Sequence, residues 1–249
     1  DRVYLAGGVL PTTRILLDSL EAYDHPLSMR YSQYFLLPLL RYRSVPSVRE
    51  ESLHTLAQIF LEMYDEALSE HTIHLQVYTY NDLYLGFMRR LLNLAFPLMK
   101  MPVDALLGRL LIIQGYLHSN LSPTISLKLQ AVEKRVSNQL ILEATPAGDA
   151  KRVIRGTVRT LFRHRRDLKA VPIFPLLKIG RPGAGFHAGG TFPMRATPKE
   201  FESDCLGRPY GFRKVHIVDA TVFPSIPAVP ITYTVMANAH RIASAHASL

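Results

Sequence analysis

Residues 185–191 read Gly-Phe-His-Ala-Gly-Gly-Thr, so His187 stands among small neighbours where a flat cofactor ring could approach its imidazole unobstructed. A histidine that titrates near neutrality can accept the proton an alcohol must lose when it releases hydride, which makes His187 the first candidate base. By spacing alone the same residue also reads as a structural histidine in a turn. A second informative stretch, residues 215–224, reads Val-His-Ile-Val-Asp-Ala-Thr-Val-Phe-Pro. It is a short buried-strand pattern ending in Asp219 and Ala220, as a strand feeding a ligand-facing loop would be. A Pro-rich loop follows and leads through Ile231 and Thr232 into a helical run from about Thr234. The hydroxyl-rich start of that helix could face the electron-rich edge of a ring, and Thr232 reads equally as an ordinary helix cap.

Other chemistries find little support. His71 and His74 are three apart on a strand start, which points them to opposite faces, and the remaining histidines show no metal-ligand spacing. With Cys205 as the sole cysteine, neither a cysteine zinc site nor an internal disulfide is available. No Gly-x-Ser-x-Gly elbow occurs, and Cys205 has no histidine near it in sequence. Gly183-Ala184-Gly185 is a lone pair of glycines with no preceding strand or following helix, so it is not a dinucleotide fingerprint.

The elements that must position these residues follow from periodicity. A strand at 2–5, a turn at Ala6-Gly7-Gly8 and a helix over 12–20 make half of a β-turn-α unit. Between 24 and 180 the spacing predicts strands at 34–40, 72–80, 110–117, 125–132 and 139–143. It predicts helices near 48–68, 82–98 and 149–168. Mixed antiparallel sheet with helices is the expectation for this region. The alternation over 72–78 fits a sheet with one covered and one open or cavity-facing side.

The 249 residues, 48% hydrophobic and 20% charged, lie in the range of one large or two small globular domains. The most apolar region, 83–117, is broken by Arg89, Arg90, Asn93, Lys100, Asp104 and Arg109, too often for a membrane-spanning helix. Much of the net charge of +9 falls on the helix over 151–169. There Arg152, Arg155, Arg159, Arg163 and Arg166 recur every three or four positions, while Ile154, Val158, Leu161, Phe162 and Leu168 supply an apolar stripe. A solvated basic face is the expectation. Nucleic acid is not expected as a partner, since no aromatic ladder interleaves the arginines.

Taken together, His187-Ala-Gly-Gly-Thr191 and the Val218-Asp219-Ala220-Thr221-Val222-Phe223-Pro224 stretch before a Thr-Val-Met-Ala helix resemble the closing signature of the glucose-methanol-choline (GMC) oxidoreductases. Asp204-Cys-Leu-Gly-Arg208 resembles that family's Asp-x-x-Gly-Arg loop, and Val3-Tyr-Leu-Ala-Gly-Gly-Val-Leu10 its strand-turn-helix against the flavin. The resemblance implies an α+β or α/β fold. Residues 1–24 and 181–249 would be parts of a Rossmann-like FAD-binding domain, and 25–180 a substrate domain whose antiparallel sheet is covered by helices. It implies FAD as cofactor, His187 as base with Thr232 as a possible second catalytic group, and Gly7, Gly8, Asp219, Ala220, Ile231 and Thr232 beside the flavin. The expected reaction is oxidation of a CH–OH group of a small alcohol or sugar, with the electron acceptor unidentified. The family's N-terminal Gly-x-Gly-x-x-Gly unit is not in these residues, so a C-terminal fragment, inactive and poorly soluble alone, is expected. The compartment stays open, with the cytoplasm favoured. The loop 228–232, Ala-Val-Pro-Ile-Thr, lacks the His or Asn that family members carry there. A flavin-binding protein with weakened or altered catalysis is therefore a second reading, and a non-enzymatic module binding through its basic face a third.

Overall fold

A computed structural model of the chain describes residues 2–48, 50, 56–79, 86, 90, 100–131, 138–145 and 149–247. Its strands are β1 (Val3–Leu5), β2 (Leu27–Tyr31), β3 (Tyr34–Arg41), β4 (Ile59–Asp65), β5 (Ser69–Tyr78), β6 (Leu110–Tyr116), β7 (Thr124–Gln130), β8 (Gln139–Thr145), β9 (Ala170–Pro172), β10 (Lys178–Ile179), β11 (Ala188–Gly189) and β12 (Val215–Ile217). The longer helices are α1 (Val9–Ser19), α2 (Lys100–Leu107), α3 (Ala150–Arg163) and α4 (Thr232–Ala247). The chain divides into two compact units, one of Asp1–Gln33, Leu117–Ala150 and Arg181–Leu249, the other of Tyr34–Tyr116 and Lys151–Gly180.

The first unit is organised by alternation. Leu27, Met29 and Tyr31 of β2 and Ile125, Leu127 and Leu129 of β7 are buried at every second position, as one covered sheet face requires. They join Leu16 and Leu17 of α1 with Phe192, Ile217, Val222, Ile226 and Ile231 in one apolar cluster. Each such side chain, fully buried, contributes about 1.5–3 kcal/mol. The antiparallel sheet beneath runs in the order β11-β2-β7-β8, and β1 pairs in parallel with β12 as a separate two-stranded sheet.

The second unit holds a six-stranded antiparallel sheet, β10-β3-β6-β5-β4, with β9 also paired to β3. Phe35, Leu37 and Leu39, with Ile73, Leu75, Val77 and Ile113, form its buried apolar face. Helix α3 supplies Val153, Ile154, Val158 and Leu161 to the same core, and Leu75 and Leu161 line a common recess. On the other face a polar row runs along β5. Register sets Glu62 and Tyr116 on either side of His74, and Gln114 beside Gln76. The hydroxyl of Tyr78 donates to Gln76 Oε1 at 2.7 Å, the Gln76 amide contacts His74 Nε2 at 3.2 Å, and His74 Nδ1 meets Glu62 at 2.5 Å. Because the Gln76 amide can only donate, Nε2 accepts and Nδ1–H faces the carboxylate.

Two expectations change. Residues 59–65, expected within a helix over 48–68, are strand β4. Asp65 closes a tight turn, its carboxylate accepting from Ala67 N–H and its carbonyl from Leu68 N–H, which folds β4 back on β5. Pairing along that hairpin outweighs the helical spacing of its apolar residues. The helix expected over 82–98 lies outside the described residues apart from Gly86 and Arg90. The compact units also do not follow the 25–180 segment, because β2, β7 and β8 bury their apolar face in the first unit's cluster.

A loop at 204–208 anchors β12 in the first unit. Asp204 Oδ1 accepts from the N–H groups of Leu206 and Arg208 at 2.9 Å each, and Oδ2 takes the Arg208 guanidinium at 2.6 Å. The loop in turn offers Leu206 C=O to His216 Nδ1–H and Gly207 C=O to Ile217 N–H. Partial burial pushes the Asp204 carboxyl up, but the Arg208 and Leu206 donors outweigh it and hold it below the ordinary carboxylate range. A carboxyl whose folded pKa is depressed stabilises the fold above its unfolded value, near 3.9, and loses that contribution as pH falls through the lowered folded value. Asp204→Asn therefore lowers stability at pH 7 by about 2 kcal/mol. The gap to the parent closes below about pH 4 in urea melts run across that range; a gap independent of pH would contradict the assignment.

Candidate functional site

The site begins at the turn between β1 and α1. Gly8 sits at φ 87°, ψ 161°, a backbone state that a side chain resists, and its carbonyl accepts the first helical bond from Thr12. What holds the turn there is Asp219, which follows β12. Its Oδ2 accepts from Gly8 N–H at 2.9 Å and from the Thr12 hydroxyl at 2.6 Å, while Oδ1 accepts from Thr221 N–H at 2.9 Å. The side chain is 6% exposed. Its negative charge at the N-terminus of α1 also complements the helix dipole. Gly7 N–H donates to Thr12 Oγ1 at 3.1 Å, so both predicted glycines are bound into this knot.

The His187 loop is fastened to the same two elements. Gly190 and Phe192 donate their N–H groups to the carbonyls of Ala220 and Thr221, and the hydroxyls of Thr191 and Thr13 share a 2.6 Å hydrogen bond. A Cβ at Gly189 would run into the Ala220 carbonyl, so a glycine is needed for this approach. On the other side, β11 pairs with β2, and the His187 carbonyl accepts from Ser32 N–H at 2.9 Å. The histidine backbone is thus tied front and back, and its ring is partly buried.

Between these parts lies a cavity of about 450 Å³ lined by Gly8, Val9, Leu10, Met29, Leu142, Gly183, Gly185, Phe186, Ala188, Asp219, Ala220 and Val235. Its volume falls within the range of small-molecule and cofactor sites, and its walls are mostly backbone, small side chains and apolar groups. Of the predicted residues, Gly8, Asp219 and Ala220 line it. His187 lies between two lining residues, Phe186 and Ala188, and Gly7 lies one residue before Gly8. Ile231 and Thr232 are not among the lining residues. Ile231 is buried in the apolar cluster, and its carbonyl accepts from Val235 N–H, so it occupies the cap position of α4 and Thr232 is the exposed first helical residue. Val235, one turn further, reaches the cavity instead.

Sequence reasoning missed Gly183 and Gly185 as lining residues, having read them only as a failed phosphate loop. It also missed Met29 and Leu142, whose strands were not assigned to this unit. The signal for the glycines was present in the Gly/Pro density of 180–185; for Met29 and Leu142 there was none. Among the described residues no group of three or more His, Cys, Asp or Glu side chains could hold a metal ion. Cys205 is exposed, and among the described residues no helix is long and apolar enough to cross a membrane.

The cavity has room for a flat ring beside the Gly8 turn. A Cβ added at Gly8 would meet nothing within 4 Å, so the turn leaves open space there. The surrounding Ala and Gly residues permit close approach to a flat ring. Asp219→Asn puts an amide N–H against a donor it now accepts from, and is expected to cost about 1–3 kcal/mol in thermal unfolding. It should also weaken flavin retention by the complete protein on gel filtration; unchanged stability and retention together would show that Asp219 does not hold the turn.

Residues 177–239, which include His187, Asp204, Asp219 and Thr232, match the family model described as GMC oxidoreductase. Among solved structures, the whole chain superposes on part of pyridoxine 4-oxidase from Mesorbium loti with a TM-score of 0.61 at 16% identity, a likeness of fold. The chain spans 52% of that protein's length. No match was found among curated proteins.

Proposed function

Taking the chain as the C-terminal portion of a GMC oxidoreductase, we propose that the complete protein is an FAD-dependent enzyme that oxidises the CH–OH group of a small alcohol or sugar. The observation that carries this reading is the cavity of about 450 Å³ walled by the Gly8 turn, the Asp219–Ala220 strand end and the residues on both sides of His187. The first unit supplies one part of a Rossmann-like FAD-binding domain in this reading, with β1 and β12 as its parallel strands. Gly8, Ala188 and Ala220 would lie against the ring, and Gly7 and Asp219 hold the turn that shapes the pocket. Ile231 and Thr232 would support α4, whose Val235 closes one wall. A bound flavin supplies the hydride acceptor.

The chain's own residues do the rest. His187 takes the hydroxyl proton of the substrate, and the loop hydrogen bonds through Ser32, Gly190 and Thr191 keep its backbone in place while it does so. Exposure at the start of α4 leaves Thr232 open to donate to the substrate oxygen, in place of the His or Asn that the family carries in this loop. The second reading, a flavin protein with altered catalysis, is favoured by one observation, the buried Ile231 and exposed Val229 where a second base would stand.

In the complete protein, His187→Gln should lower the rate of anaerobic flavin bleaching by an alcohol about 10²–10⁴-fold while leaving the visible flavin spectrum intact. Normal bleaching by this variant would remove His187 as base. A parent protein that binds flavin but is bleached by no alcohol in a panel of sugars, aliphatic and aromatic alcohols would establish the second reading instead.

A further inference from the structure

We propose that the outer face of α3 docks the protein on an anionic lipid surface. The inference is independent of the reaction assigned above. Helix α3 carries Lys151, Arg152, Arg155, Arg159 and Arg163 and no acidic residue. Its apolar face is already used, with Val153, Ile154, Val158 and Leu161 at 0–4% exposure in the core of the second unit. Arg155, Arg159 and Arg163 follow one another at four-residue spacing, where like charges repel along the helix. Among the described residues no carboxylate pairs with any of the three. An anionic surface relieves that repulsion.

Apolar groups beside the arginines select the kind of surface. Phe162 comes two turns after Arg155 and so falls on the same side of the helix, where it is 39% exposed. Its ring meets Phe174 edge-on at 5.5 Å, and the Arg165 guanidinium lies over it at 4.6 Å. Phe174, Pro175 and Leu176 form an exposed knuckle, with Phe174 42% and Leu176 50% exposed. Phosphates of a nucleic acid would satisfy the arginines but leave a solvent-facing Phe-Pro-Leu knuckle without a partner. The boundary of an anionic bilayer satisfies both, with headgroups on the guanidinium groups and acyl chains around the knuckle.

The test is sedimentation of the complete protein with vesicles of phosphatidylcholine, with and without phosphatidylserine. Binding is expected only to the phosphatidylserine vesicles. The triple variant Arg155→Gln, Arg159→Gln, Arg163→Gln should lower the partition coefficient on the order of a hundredfold, at about one headgroup interaction per residue removed. The double variant Phe174→Ser, Leu176→Ser should abolish the part of binding that survives added salt. Both variants should keep the parent circular dichroism and flavin spectrum, and glutamine is chosen because it retains helix propensity. Equal binding to both vesicle types, or to neither, would overturn the proposal. So would arginine-dependent binding of a single-stranded oligonucleotide with no binding to vesicles.

Discussion

The carboxylate of Asp219 accepts from Gly8, 211 residues away in sequence, from Thr12, and from Thr221 two positions on. Buried at 6% exposure, it exchanges water for three donors, and a buried carboxylate is tolerable only on those terms. The exchange fixes three things together: the left-handed Gly8 turn, the start of α1, and the short turn after β12 whose carbonyls receive Gly190 and Phe192. The His187 loop therefore has a defined position because Asp219 has one. The residue acts through backbone geometry; both of its oxygens are engaged within the chain, and the walls of the cavity are what those engagements leave behind.

The two units meet their polar requirements by different means. In the first, polar groups are consumed in local pairs: the Thr191 hydroxyl on that of Thr13, Ser119 on the Ile226 N–H, Asp204 on the N–H groups of its own loop. The cavity is accordingly lined by little that is charged. In the second, a row of side chains on one sheet face bonds along itself, from Tyr78 through Gln76 and His74 to Glu62. Such a chain gives every member a direction, so that the tautomer of His74 follows from the amide of Gln76. Burial of Tyr116 beside this row, with Tyr78 and Tyr34 adding to the effect, pushes its hydroxyl far above the ordinary tyrosine range.

Much of this was legible in the residues. Strands β3, β5, β6, β7, β8 and β12 and the basic helix α3 follow from alternation and 3.6-residue spacing, and the family resemblance rests on His187, Asp204 and Asp219. Strand β4 was misread because its apolar residues also satisfy a helical spacing; only the turn at Asp65 and the partner β5 decide between the two. Strand β2 was missed because five residues with Ser and Arg at alternate positions carry little signal alone. The assignment of β2 and β7 to a core with α1 depends on contacts between segments about a hundred residues apart, which no local pattern encodes. Motif position put Ile231 and Thr232 beside the flavin; the helix phase brings Val235 to the cavity wall, leaves Ile231 in the core and Thr232 exposed at the helix start.

The interleaving of segments governs the order in which the molecule can be assembled. The second unit is complete once residue 180 has been made, since its strands and α3 all lie between 34 and 180. The first unit must wait. Its apolar cluster joins Leu16 and Leu17 to Ile217, Val222 and Ile231, so the leading segment leaves the ribosome long before its partners exist. Until then Leu16 and Leu17 lack part of their cover, a stretch of nascent chain that holdase chaperones are suited to shield. Contacts of such long sequence separation also slow the closure of this unit. The pocket beside His187 is therefore among the last features to form, and a chain interrupted after residue 180 lacks the walls that Gly183, Ala188, Asp219 and Val235 give it.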